Sequence, residues 1–523
     1  MTRLFSNRFR HFDMGDLPTE LLARDAHAPE HKAASPRDKN PAGPNSINEA
    51  LSAYQTLFEN YLEGETAIAR APLPDDLSLR SKNLKACAYF LDATLAGVCA
   101  IDDMDGLPES PLKHTHALII LIEFSREPKL EEPGAAWIHG SNKARTDARA
   151  TEVAVVLAGY LRAMGYNARG HVTGNTHLNL EALAQRAGIA RSENGVLKMP
   201  FLQRGFAIAA VSTDLPLEVD LPIATHASLE WPDSDTYMGK LGTRPGWAES
   251  EAELRPLHLG RYPMESLKRV PEPTTLILRD EIIRNSKRAD LFTRALAGDL
   301  GEKAKVQRTR FATKHPLAFA MTPLIRNMVP LQGTYERLVP ADTNGALSDA
   351  QKNAESIKAL AYFLGADLVG ICETEPWMFY SHEAQQGKPI EPSHKHCVVM
   401  LLDQGFETME GASGDDWISG AQSMRSYMRG AFIAGVMGAH LRRLGFSSRA
   451  HTNAESDVLH IPATLLAGLG ELSRIGELVL NPFIGPRSKS VLLTTDLPLA
   501  FDQPIDFGLQ SVCNMCLKCA REC

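Results

Sequence analysis

The chain contains one pattern twice, and no other feature limits its fold as tightly. KACAYFLDATLAGVC, starting at Lys85, returns as KALAYFLGADLVGIC from Lys358, an offset of 273 residues. HTHALIIL from His114 returns as HKHCVVML from His394, and YLRAMGYNARGH from Tyr160 as HLRRLGFSSRAH from His440, both offset by 280. STDLPL from Ser212 returns as TTDLPL from Thr494, offset by 282. Collinear matches with so little drift mean duplication. Each copy predicts a helix running into a short strand, then a continuous apolar strand after a pair of histidines. A long amphipathic helix follows, closed by Gly165 or Gly445, the usual C-terminal signal of a helix. A short strand, a loop-rich stretch and a further buried strand complete the unit.

Strands mixed with helices predict an α/β protein, of the layered α+β kind, with the two copies packed as a pseudo-dimer. The organisation reads as an N-terminal arm over 1–75, polar and proline-rich in its first fifty residues, and a first repeat over 76–230. A connecting segment follows over 231–345, then a second repeat over 346–508 and a cysteine-bearing segment over 509–523. A balance of 55 basic against 63 acidic side chains, net −8, argues against nucleic acid as a partner. No apolar run approaches the roughly 18 residues needed to span a bilayer. The opening MTRLFSNRFRHFDMGD has neither a hydrophobic core region nor an arginine pair. The expected location is therefore the cytoplasm.

Four of the eight cysteines lie in CNMCLKCAREC, as Cys513, Cys516, Cys519 and Cys523. Three soft thiolates at this spacing converge on one iron-sulfur cube, and the fourth serves a second cluster in the bacterial ferredoxin pattern. That pattern asks for more chain after Cys523. Structural zinc wants cysteine pairs separated by a long gap, and a disulfide framework wants a secreted chain. The other cysteines, Cys87, Cys99, Cys372 and Cys397, sit in apolar patterns and read as filler.

A duplication supplies its own control: features in both copies are architectural, and features in one are candidates for chemistry. His114/His116 and His394/His396 occur in both and read as structural. Tyr427 faces Asp147 at the 280 offset, and Lys489 faces Ala207 at the 282 offset. GLGELSRIG from Gly468 does not have the spacing of a dinucleotide-binding turn.

From about Ala359 onward, GLGELSRIG, GPRSKSVLLTTDLPLAFDQPIDFG and CNMCLKCAREC together resemble the cobalamin-dependent reductive dehalogenases, in the non-respiratory branch without a twin-arginine signal. The resemblance implies a nitroreductase-like corrinoid-binding domain followed by a ferredoxin-like segment with two [4Fe-4S] clusters. It implies reductive dehalogenation of halogenated aromatic compounds, ortho-halogenated phenols foremost, with electrons from a donor protein or reductase. The proton-donating tyrosine falls on Tyr427 and its neighbouring cation on Lys489, whose ammonium would favour tyrosinate and so tune the acid. The corrinoid side falls on Asn453, Gly468, Gly470, Glu471, Leu472 and Gly476, and the cluster ligands on the four terminal cysteines. An epoxyqueuosine-reductase-like enzyme and a non-catalytic corrinoid-binding electron carrier are the alternatives. In the first copy Gly188 is set against Gly470, and Gln185–Arg186 replaces the glycine-bearing turn. The expectation is one cobalamin per chain, against the second copy, with the first as scaffold.

Overall fold

Aliphatic runs and capped helices recur in the same order in each half, and the computed structural model gives them the same topology. It describes residues 22–35, 46–101, 114–200, 204–229, 255–332, 335–340, 345, 347–405, 409, 412 and 417–522. Helix α1 (Ser46–Glu59) precedes α2 (Leu77–Phe90), where Asp76 caps the first turn by accepting from the Ser78 amide. Next come β1 (Leu95–Ala100), β2 (His116–Glu123), the short α3 (Ala135–Ile138), the long α4 (Asn142–Ala163) and β3 (Ala168–Val172). Helix α5 (Leu180–Arg186), the hairpin β4–β5 (Arg191–Glu193, Val196–Lys198) and β6 (Phe206–Thr213) close the half. The antiparallel sheet runs β1-β2-β6-β3.

After α6 (Leu291–Ala297), α7 (Glu302–Thr313) and α8 (Pro316–Gln332), the series repeats. It comprises α9 (Ala350–Leu364), β7 (Leu368–Glu373), β8 (His396–Asp403), α10 (Trp417–Arg443), β9 (Ser448–His451), α11 (His460–Leu466), β10 (Glu471–Leu472), β11 (Val479–Leu480) and β12 (Ser488–Thr495). The second sheet runs β7-β8-β12-β9, the same order. Two short helices follow, α12 (Leu509–Cys516) and α13 (Lys518–Glu522). Gly165 and Gly445 end the long helices at φ +84° and +91°. The left-handed region admits glycine without a Cβ clash, so both stops follow from residue choice.

The two halves are locked by matching polar contacts. Lys85 meets Asp220 at 2.8 Å and Lys358 meets Asp502 at 2.7 Å, and each aspartate also accepts a strand amide, from Val98 or Ile371. His114 and His171 share the Ser212 hydroxyl at 2.7 Å each; His394 and His451 share that of Thr494 at 2.9 Å each. These histidines serve the sheets. Among the described residues no group of His, Cys, Asp and Glu is arranged to hold a metal ion.

Both faces of each sheet are covered, so the strands read as continuous apolar runs. Val98, Ile120 and Val211 join Ile371, Met400 and Leu493 in one core with the helices between the sheets. The opposite faces pack on α5 and α11 through Leu183 and Ala463. Cys87, Cys99, Cys372 and Cys397 are buried free thiols in these layers. Among the described residues no helix is long and apolar enough to cross a membrane.

The arm and the connector differ from their sequence reading. Helix α1 lies within 1–75, yet Ile47, Leu51, Tyr54 and Phe58 are buried against α4 and α10. Helix α8 lies within 231–345 and packs on the same two helices. Each also brings a strap. Arg24 bridges Ile223, and Arg269 bridges Ile505. The arm and connector thus contain the leading pieces of the two repeats. Polar, proline-rich sequence around them hides the match.

The halves meet reciprocally. The Arg425 guanidinium lies 4.9 Å from the Phe90 ring centroid, and the Arg145 guanidinium 5.8 Å from that of Phe363. Such contacts contribute about 0.5–2 kcal/mol when desolvated. One element breaks the symmetry. Asp92, at φ +67°, lies 3.3 Å from Arg429, 3.7 Å from Arg425 and 3.8 Å from Arg149. The matching position of the other half is Gly365, at φ +110°.

The buried imidazoles set a pH dependence. Burial pushes His171 down to about 3, His440 to about 3 and His394 to about 4, and holds His451 well below the usual range. The unfolded chain binds protons near pH 6.5 that the folded chain refuses. This stability is complete above pH 6.5 and is lost as pH falls towards 4 and then 3. Each group contributes up to about 1.4 kcal/mol per pH unit. The urea midpoint is expected to fall steadily from pH 6.5 to 5 at constant salt, and a flat midpoint would contradict the assignment.

Candidate active site

Helix α10 crosses β12 closely because Gly430 has no side chain: a Cβ there would lie 3.2 Å from Val491 Cβ. One turn earlier on the helix is Tyr427, and two residues earlier on the strand is Lys489. The Lys489 Nζ lies 5.3 Å from the Tyr427 ring centroid, within cation–π range, and both side chains are half-buried. The first half has no such pair. Asp147 is ion-paired with Lys143 of its own helix, and burial raises the Asp147 carboxyl above its ordinary range. Ala207 is buried in the core.

A polar cluster that the sequence reading missed surrounds this end of the sheet. Arg487, two residues before Lys489, donates to both Asp403 oxygens at 2.9 and 3.2 Å. The Asp403 amide donates to Asp367 at 2.8 Å. Burial first, and then the Asp367 charge, push the Asp403 carboxyl up. Gln404 donates to Ser423 on α10 at 3.2 Å. At the corresponding strand ends the first half has Thr94, Glu123, Phe124 and Gly205. These positions differ between the copies, the same signal in the sequence that marks Tyr427 and Lys489.

Asn453 is exposed on the loop after β9. His451 pairs with Leu492, and β9 runs antiparallel to β12, so the chain leaves β9 towards the Lys489 end. The structure thus brings Tyr427, Lys489 and the Asn453 loop to one end of the second sheet.

The glycines have local reasons. Gly468 has φ +67°, and a Cβ there would lie 2.2 Å from the Gln503 carbonyl oxygen and 2.3 Å from Arg269 Nη1. Gly188 has φ +64°, with the Leu221 carbonyl oxygen and Arg24 Nη1 each at 2.2 Å from the same point. Both therefore let a strap arginine cross the turn. Gly188 corresponds to Gly468, not to Gly470, because the 280 offset still holds at this turn. The glycine-bearing turn is retained in the first half, and Gln185–Arg186 does not replace it. Gly470 allows β10 to approach β11: a Cβ would lie 2.5 Å from the Leu480 carbonyl oxygen. Gly476 turns the same hairpin at φ +79°, as Gly195 does at φ +78° in the first half.

Glu471 and Leu472 face the C-terminal segment. The buried Glu471 carboxylate accepts from the Phe507 amide at 2.8 Å and the Leu509 amide at 3.2 Å. The Leu472 carbonyl accepts from Gln510 Nε2 at 3.0 Å. Cys513 and Cys516 lie one turn apart on α12, and Cys519 lies on α13, after Leu517 at φ +51°. Cys516 and Cys519 are exposed and Cys513 is half-buried; Cys523 lies outside the described residues. The thiols are of the soft donor type that an iron-sulfur cube takes, although the three described ones are not gathered around one point.

No protein-family model matches the chain. A tetrachloroethene reductive dehalogenase of Dehalobacter restrictus is 35% identical over 129 residues, 25% of this chain and 22% of that protein. One of Sulfurospirillum multivorans is 47% identical over 57 residues, 11% of each chain. The matched stretches thus span less than a quarter of these curated relatives. Among solved structures, the catabolic reductive dehalogenase NpRdhA in complex with 3-bromo-4-hydroxybenzoic acid superposes with a TM-score of 0.93 at 55% identity, covering 100% of this chain and 75% of that one. A reductive dehalogenase structure solved in the context of B12-dependent dehalogenation gives a TM-score of 0.92, with the same identity and coverage.

Proposed function

The chain belongs to the reductive dehalogenases, and on that premise we propose that it replaces halogen by hydrogen on halogenated aromatic compounds, with Tyr427 supplying the proton. The observation that carries this reading is the Tyr427–Lys489 contact in a half whose partner has Asp147 and Ala207 at the matching positions. Reduction of an aryl halide takes two electrons and one proton and releases halide. Cobalamin reduced through [4Fe-4S] clusters, when bound, supplies the two electrons at low potential.

The chemistry of the residues present supports this reading. The half-buried tyrosine opens at the sheet end where the exposed Asn453 loop leaves β9, and the three described cysteines offer soft ligands on adjoining helices. Tyr427 holds the proton at its phenolic oxygen, and the Lys489 ammonium lies against its ring. Lys489 stabilises the negative charge that develops as the proton leaves. The Arg487–Asp403 pair holds the start of β12, and with it Lys489, in register. The two halves form a nitroreductase-like pair, with the second half carrying the corrinoid and the cysteine segment opening a ferredoxin-like unit.

Ortho-halogenated phenols are the favoured substrates, and the compound bound to the related NpRdhA carries its bromine beside a phenolic hydroxyl. The test is anaerobic reconstitution with cobalamin, iron and sulfide, then incubation with 3-bromo-4-hydroxybenzoate and a low-potential one-electron donor such as reduced methyl viologen, followed by ion chromatography of bromide. One bromide per two electrons consumed is expected, and no bromide above the protein-free control overturns the reading.

A further inference from the structure

Helix α12 carries Cys513 and Cys516 but begins at Gly508, at φ +88°, which offers no side-chain cap. The first amides of a helix need acceptors, and an anion at that end is favoured by the helix dipole. Glu471, 38 residues away in the sequence, supplies an acceptor to the first helical amide, Leu509, and to the Phe507 amide just ahead of the cap. Its Oε2 accepts from the amides of Phe507 and Leu509, and its Oε1 accepts from the Thr274 hydroxyl at 2.7 Å. Glu471 is 2% exposed, so few waters could replace these bonds. Two further bonds extend the clasp: Gln510 to the Leu472 carbonyl, and Arg474 to Asn514 Oδ1 at 3.0 Å.

The first half makes the reverse contact. Arg191 matches Glu471, and it donates to the carbonyls of Ala224 and Ala227 at 2.9 and 2.7 Å. By the 282 offset those residues correspond to Asp506 and Leu509. Both hairpins therefore grip the segment leaving their sheet, but the first holds carbonyls with a cation and the second holds amides with an anion. A carboxylate is what the start of a helix requires, and the helix it starts is the one with the cysteines.

We propose that Glu471 is a positioning residue that fixes the cysteine helix to the second half, so that its loss slows electron entry without changing substrate affinity. The kinetic part rests on the function proposed above; the structural part does not. The test compares Glu471→Gln with Glu471→Leu in the full chain. Glutamine can give its oxygen to both amides and its NH2 to the Thr274 oxygen, whereas leucine fills the space and accepts nothing.

In the apoprotein, hydrogen exchange at Phe507 and Leu509 is expected to quicken by about tenfold or more in the leucine variant, and to stay within about threefold of wild type in the glutamine variant. Thr274→Val, which touches neither amide, is expected to quicken the same exchange about threefold. It keeps the proposal refutable if the leucine variant does not fold. In the reconstituted enzyme the leucine variant is expected to lose kcat at unchanged KM, with glutamine restoring it. Equal behaviour of leucine and glutamine, or exchange unmoved in all three variants, overturns the proposal. A wild-type protein that releases no bromide would instead defeat the functional reading and leave the exchange result standing.

Discussion

Tyr427→Phe is expected to lower dehalogenation turnover by on the order of 10²-fold or more while substrate and corrinoid still bind. The change deletes one hydroxyl and keeps the ring that packs beside Lys489, so folding and packing are preserved. A hundredfold loss corresponds to about 2.7 kcal/mol of transition-state stabilisation. A positioned acid is worth that much when its hydroxyl is the source of the transferred proton. Lys489→Met keeps the aliphatic stem and removes the charge, and its expected cost is smaller, about tenfold. Single-turnover kinetics with a corrinoid-binding titration separate the effects: an unchanged rate in the phenylalanine variant removes Tyr427 from the chemistry.

The second large effect is on stability. Asp92→Asn should destabilise the chain by about 3 kcal/mol or more, because it takes a carboxylate from among Arg149, Arg425 and Arg429 inside the protein. Asparagine tolerates the left-handed backbone at φ +67°, so the variant reports charge and not strain. Removing one member of a buried ionic cluster is costly because the charges left behind stay desolvated. Equilibrium urea unfolding measures it, and a loss under about 1 kcal/mol would show that the cluster is solvated or otherwise neutralised.

Much of this was legible in the sequence, for a physical reason. Strands buried on both faces need unbroken aliphatic runs, and helices that end at glycine advertise their stops, so the repeated unit announced its order. The internal comparison led to Tyr427 and Lys489, which are 62 residues apart in the chain and which the fold brings together. What it could not give was anything held by non-local polar contact. Helices α1 and α8 escaped because their equivalence lies in packing on α4 and α10, not in shared residues. Gly188 was set against the wrong partner because the offset changes between the turn and the following strand. The 280 offset, which still holds at the turn, gives the true match, and the strap arginines, Arg24 and Arg269, agree with it. Glu471 looked like part of a ligand loop, since a carboxylate that caps a distant helix leaves no local signature.

The carboxylate at Asp92 has a consequence for partner choice. In a dimer of two second halves, Gly365 would stand at both matching positions, and Arg425 and Arg429 of each copy would meet with no anion between them. Two first halves would place an aspartate at both positions, each facing Arg145 and Arg149, the counterparts of Arg425 and Arg429. The second half is therefore disfavoured against itself, and it is the aspartate of the first half that its two arginines meet. The half with the tyrosine cannot exchange its neighbour for another copy of itself, so the half that lost the tyrosine remains indispensable to it.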